Sequence, residues 1–106
     1  MAEIECGIIR PVSAERKWPA DSITPQMIKE ARERIKHSIL RTPLVRLNVD
    51  DAPASIFLKL ENLQPTSSFK VRGVCNALAL SEREALSKGV YTVSAGNMAQ
   101  ALAWRA

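Results

Sequence analysis

Three short apolar runs, residues 44–47, 56–60 and 90–93, alternate with stretches whose apolar residues recur every three or four positions, and few folds accommodate that alternation. Runs of four or five fit strands, whereas the periodic stretches fit helices that lay one stripe on a sheet. Ile56, Leu58 and Leu60 share one face of the second run. A first helix starts at Thr24-Pro25, a hydroxyl cap followed by a residue whose missing N–H costs nothing there. Met27, Ile28, Ala31, Ile35 and Ile39 form its buried stripe, and Thr42-Pro43 ends it. Ser68 caps a second helix carrying Val71, Val74, Cys75 and Leu78, and Ser81 with Glu84 makes a capping box for a third that Gly89 stops. The polar turn Ser94-Ala95-Gly96-Asn97 follows the third apolar run and leads into a helix that begins near Met98 and still runs at Ala106.

Strand, helix pair, strand, helix predicts an α/β fold: an open parallel sheet with crossover helices, in which ligands sit outside the carboxyl ends of the strands. Both polar turns, residues 64–68 and 94–97, fall at those ends. Residues 1–22, with Pro11 and Pro19 among scattered charges, read as an N-terminal arm, and residues 23–106 as the leading part of a domain cut off at residue 106.

The formal charge of +4 and pI of 9.4 raise the question of nucleic acid. Lys29, Arg32, Arg34 and Lys36 are interleaved with Glu30 and Glu33 on one helix, so that charge is a solvated, locally paired face, and no nucleic-acid partner is expected. Cys6 and Cys75 stand far apart, without the spacing of a metal site, and both read as reduced thiols; no metal is expected. The first residues lack a basic leader and a hydrophobic core segment, and no apolar run approaches the ~20 residues of a membrane span. The expected setting is the cytoplasm, with an organelle matrix left open, and no membrane partner. His37 has no catalytic companion, Trp18 and Trp104 read as packing residues, and Glu82 and Glu84 belong to the capped short helix.

Lys70 directly follows the turn Pro65-Thr66-Ser67-Ser68 and so projects from the first turn of a helix into the cleft above the sheet. The partial positive charge of a helix start disfavours an ammonium there, which biases the side chain toward the neutral, nucleophilic amine. Taken alone, such a lysine is an ordinary surface charge. Its setting, Glu61-Asn62-Leu63-Gln64-Pro65-Thr66-Ser67-Ser68-Phe69-Lys70-Val71-Arg72-Gly73, resembles the lysine motif of the fold-type II pyridoxal-phosphate enzymes, and its Ser-Phe-Lys-x-Arg-Gly core is similar to threonine and serine dehydratases and serine racemases. The resemblance implies that Lys70 bonds pyridoxal 5′-phosphate covalently and acts as base on the substrate Cα proton, with Phe69 beside the pyridine ring. Arg72 and Gly73 are read as holding helix packing.

Ser94-Ala95-Gly96-Asn97-Met98-Ala99-Gln100 is similar to the family's asparagine loop. A strand-to-helix turn of this kind offers unpaired N–H groups to an anion. By resemblance, Ser94, Ala95, Gly96, Asn97 and Met98 surround the substrate α-carboxylate, and Asn97 hydrogen-bonds the cofactor's 3′ oxygen. Three positions depart from the pattern: Met98 stands where histidine is common, Ser67 replaces a glycine and so must avoid or strain a positive φ, and Ala95 occupies the place of a racemase's proton-donating serine. The family's glycine-rich phosphate cup is not found among the four glycines.

The resemblance implies a lyase that dehydrates and deaminates L-threonine or L-serine to an α-keto acid and ammonia, with homo-oligomers common in the family. Two alternatives accompany it: an amino-acid racemase of the serine racemase type, disfavoured by Ala95, and a non-catalytic interaction module. The 106 residues by themselves are expected neither to bind the cofactor tightly nor to turn over.

Overall fold

A computed structural model describes residues 22–106. The elements in order are helix α1 (Pro25–Ile35), strands β1 (Leu44–Leu47) and β2 (Ile56–Lys59), a single 3-10 turn (Glu61–Leu63), and helices α2 (Lys70–Leu80), α3 (Arg83–Ser87) and α4 (Asn97–Arg105). The predicted arm at residues 1–22, with Cys6 and Trp18, lies outside the described residues except for Ser22.

Helix α1 opens as its sequence dictates, with Thr24 Oγ1 accepting a bond from Met27 N at 3.2 Å and Pro25 at the first helical position. It ends sooner than the apolar period implies. The helix stops at Ile35, seven residues before Thr42, where Ser38 N turns back to Ile35 O at 2.9 Å and closes a tight turn. Of the predicted stripe only Ile35 is buried, Ile39 packs at the edge of the core, and Met27 and Ile28 face solvent. The stripe is real as a pattern, but the described residues put only its carboxyl end against another element, through Arg34 Nε bonding Asn76 Oδ1 at 3.0 Å and Ile35 joining the core.

The first two apolar runs are strands, and they pair antiparallel, with Val45 opposite Leu58 and Leu47 opposite Ile56. The run at residues 90–93 joins no ladder among the described residues, so the sheet there has two strands. A hairpin reverses direction over a short loop, whereas a parallel neighbour needs a crossover, and the eight residues between β1 and β2 allow only the former.

The core lies between helices. Val71, Val74 and Cys75 on α2, at the predicted spacing, meet Ala101 on α4 and Ile35 on α1, with Ile39, Leu78 and Leu102 packed around them. Completely buried Ala101 is small enough to let α4 lie close on α2. Two predicted caps differ in detail. Phe69 occupies the cap of α2, with Ser68 Oγ only 3.4 Å from Lys70 N, and the Ser81/Glu84 capping box is not formed. Ser81 Oγ donates instead to Ala77 O at 2.9 Å, which ends α2 rather than starting α3. Gly89 stops α3 at φ +86°, its N–H returning to Leu86 O at 3.0 Å. Trp104 is partly exposed on α4, and His37 is exposed.

Candidate active site

The Lys70 turn is built from its own backbone. Leu60 N bonds Pro43 O at 3.1 Å as the chain leaves β2, the 3-10 turn follows, and Ser67 N reaches Gln64 O at 2.8 Å. Ser67 adopts φ +53°, the left-handed conformation its departure from glycine called into question, and the position does carry that strain. Ser68 is buried, Phe69 is exposed, and Lys70 opens α2. The Lys70 Nζ lies 5.1 Å from the centroid of the Phe69 ring, a cation–π distance, so the structure brings these two predicted site residues together. Among the described residues no carboxylate pairs with Lys70. Earlier in the turn, the Thr66 hydroxyl is buried with no hydrogen-bond partner among the described residues.

Behind the turn sits a polar cluster that local sequence spacing does not announce. Arg72 donates from Nε to Glu61 Oε2 at 2.7 Å and from Nη2 to Glu61 Oε1 at 2.8 Å, a two-pronged pair, and from Nη2 to Leu40 O at 3.2 Å. Glu61 also accepts from Thr42 Oγ1 and, at 3.3 Å, from Gln64 Nε2. Gln64 is buried and its amide meets the Leu40 backbone in both directions, at 3.1 and 2.9 Å. Lys59 Nζ caps Thr42 O. The Arg72 guanidinium bonded to Glu61 holds that carboxyl at about 2, well below the ordinary carboxylate range, against the opposing effect of burial and with help from Thr42. Arg72 therefore does structural work, as read from the sequence, but through this ion pair. Gly73 does not: a Cβ there would meet nothing within 4 Å. The one sequence signal for the cluster was an acid and an arginine at the two ends of the lysine motif.

The second constellation begins α4. Ser94 Oγ accepts from Gly96 N at 3.3 Å, Gly96 is the cap residue, and no side chain caps the helix. The first backbone bond into α4 is Gln100 N to Gly96 O at 3.2 Å, which leaves the N–H groups of Asn97, Met98 and Ala99 available to an external acceptor. Ala95, Gly96, Asn97 and Met98 are exposed, and the space over Gly96 is open. Asn97 is thus the first helical residue, one position earlier than predicted. No hydrogen bond or ion pair joins this loop to the Lys70 turn among the described residues. The link is the core: Val71 follows Lys70 directly, Ala101 lies one turn after Asn97, and both are fully buried in one cluster.

These groups fit an aldehyde cofactor and an amino acid. An amine with no carboxylate partner among the described residues is free to condense, an exposed aromatic ring offers a wall to a planar heterocycle, and free N–H groups at a helix start suit a carboxylate. Elsewhere, the Cys75 thiol is free and buried, and burial raises its pKa against the opposing influence of Arg105, which makes it a core residue. No helix among the described residues is long and apolar enough to cross a membrane.

A profile of the family described as pyridoxal-phosphate dependent enzyme matches residues 35–106. Among curated proteins, a serine racemase of Dictyostelium discoideum is 46% identical over 81% of this chain and 27% of its own length. An L-threonine ammonia-lyase of Geobacter sulfurreducens is 43% identical over 76% of this chain and 20% of its own, and a catabolic L-threonine dehydratase of Staphylococcus aureus 44% identical over 72% and 23%. The chain spans about a quarter of the length of these relatives. No solved structure matches.

Proposed function

This chain belongs to the pyridoxal-phosphate dependent enzymes, and on that premise we propose that the complete enzyme is a lyase acting on L-threonine or L-serine. It eliminates water to leave an enamine, which hydrolyses to an α-keto acid and ammonia. The observation that carries the reading is the Lys70 amine, unpaired with any carboxylate among the described residues, on the first residue of a helix packed against a second helix whose start presents free N–H groups. Two of the three relatives above are named for threonine deamination or dehydration, which supports the substrate class.

Pyridoxal phosphate, when bound, supplies an electron-withdrawing ring that stabilises negative charge at the substrate Cα. Lys70 would hold it covalently and, once released, take the Cα proton on Nζ. Phe69 would flank the ring and Asn97 would bond the ring oxygen. Ser94, Ala95, Gly96, Asn97 and Met98 would gather the α-carboxylate on backbone N–H groups, which positions the Cα–H bond and the leaving hydroxyl. In this reading residues 90–93 join an open parallel sheet with partners supplied by the rest of the enzyme, and the described residues form the leading part of one domain of a homo-oligomer of the cytoplasm or an organelle matrix.

The racemase reading has one observation in its favour, the 46% identity to a serine racemase. Ala95 argues against it, because a methyl group cannot deliver a proton to the opposite face of Cα. Incubation of the complete enzyme with L-serine or L-threonine decides the matter. The lyase reading expects α-keto acid and ammonia, lost in Lys70→Ala. D-serine as the main product would replace it with racemisation, and unchanged ammonia release by Lys70→Ala would end both.

A further inference from the structure

Lys70, Val71 and Arg72 are consecutive on the first turn of α2, so their side chains leave the helix axis about 100° apart. Val71 is fully buried in the core. Arg72 is locked in the two-pronged pair with Glu61 and a third bond to Leu40 O. A helix pinned at two successive side chains cannot rotate about its axis, and the direction of the third is then fixed. That constraint matters here because the usual device is weak: α2 has no side-chain cap bond at Phe69, and the nearest hydroxyl, of Ser68, stands 3.4 Å from Lys70 N.

We propose that Glu61 is a positioning residue for Lys70, acting through its ion pair with Arg72 to fix the rotation of the first turn of α2. The proposal rests on Lys70 being the cofactor lysine. Glu61 suits the task because it is itself held: Thr42 and Gln64, both buried, donate to the same carboxylate, and Gln64 clamps the Leu40 backbone that Arg72 also reaches. Residues 40–42, the exit of β2 and α2 are thereby tied at one carboxylate. Removing its charge weakens the acceptor that the three donors share and leaves the first turn of α2 held on its core face, through Val71 and, one turn on, Val74 and Cys75, without the Arg72 anchor. The depressed titration of Glu61 means that the carboxylate is charged at any pH where an enzyme would work.

The test follows covalent capture rather than turnover. The complete protein is incubated with pyridoxal phosphate, reduced with borohydride at timed intervals, digested, and the adduct quantified at Lys70 and at Lys29, Lys36, Lys59 and Lys88. Unaltered protein is expected to label Lys70 selectively. Glu61→Gln and Arg72→Lys are expected to slow labelling at Lys70 at least tenfold while labelling at the other lysines keeps its rate. The reversed pair, Glu61→Arg with Arg72→Glu, is expected to recover Lys70 labelling above either single variant. A purely structural role would lower the melting temperature and leave Lys70 selectivity unchanged. Should Glu61→Gln fail to fold, Thr42→Val, which removes one donor and keeps the ion pair, is expected to slow Lys70 labelling several-fold. A folded Arg72→Lys or Thr42→Val protein that labels Lys70 at the unaltered rate overturns the proposal. Failure of the unaltered protein to label Lys70 selectively overturns the underlying assignment of the lysine, and the proposal with it.

Discussion

Replacing Ser67 by glycine should stabilise the protein, although it removes a side chain from the turn that delivers the candidate catalytic lysine. Ser67 sits at φ +53°, where an L-residue with a Cβ is disfavoured by about 1–2 kcal/mol relative to glycine. The bond that closes the turn, from Ser67 N to Gln64 O at 2.8 Å, belongs to the backbone and survives the change. The side chain is exposed and makes no hydrogen bond among the described residues, so nothing else is lost. Against the relief stands the greater freedom of glycine in the unfolded chain, about 0.5–1 kcal/mol. The net gain is about 0.5 kcal/mol, or roughly 3 °C for a cooperative unit of this size. Urea unfolding at neutral pH measures it, with two controls. Ser67→Ala keeps the strain and should gain nothing, and Asp51→Gly, at φ +60° but with a residue type that tolerates this region, should gain less than Ser67→Gly. Destabilisation by Ser67→Gly beyond about 0.5 kcal/mol, or equal gains from glycine and alanine, would refute the strain reasoning.

Three further outcomes are expected. The folded Glu61 carboxyl titrates near 2 and the unfolded one near 4.5, so the pair's stabilisation is fully present above pH 4.5 and is lost as pH falls through about 2. The shift alone corresponds to about 3 kcal/mol, which solvent access to the one-third exposed Arg72 side chain reduces to about 1–2 kcal/mol; Glu61→Gln should cost that much at pH 7 and progressively less toward pH 2 in urea titrations. Val71→Ala, at a fully buried position, should cost about 2–3 kcal/mol by the same measurement, and a cost below 1 would mean that α2 and α4 are not packed as described. Cys75 should resist iodoacetamide under native conditions and react on unfolding; rapid native alkylation would show that the α2–α4 contact opens.

What the sequence disclosed and what it withheld divide along physical lines. The α2 face was legible because Val71, Val74, Cys75 and Leu78 obey a period that only a helix satisfies, and both strands of the hairpin were legible as short apolar runs between turn residues. The direction of their pairing follows from the eight residues between them, too few for a crossover, a constraint that the strand–helix alternation of the longer segment obscures. The end of α1 was misjudged because Ile39 continues the helical period while the backbone has already turned at Ser38; an apolar residue at the right spacing can be buried from a turn as well as from a helix. At the candidate site, the reacting types at Lys70 and Asn97 stand in recognisable local settings, whereas Glu61, Thr42 and Gln64 act on residues 11 to 24 positions away and carry no short-range mark.

The same division explains why the lysine turn is well defined in a chain whose apolar surface is only partly covered. Hydrogen bonds and the Glu61–Arg72 pair need partners at about 3 Å, and residues 40–72 supply all of them within one stretch of chain. Burial, by contrast, needs whole opposing faces. Here Val45, Leu47, Ile56, Phe57 and Leu58 on the hairpin remain exposed, and among the described residues the buried core comprises five side chains. A two-stranded hairpin is marginal by itself, so its geometry is set by its turn and by Leu60 and Lys59 joining residues 42 and 43 rather than by packing. The motif that would hold the cofactor is therefore fixed by polar contacts internal to the segment, and the sheet is the part whose form depends on what packs against it.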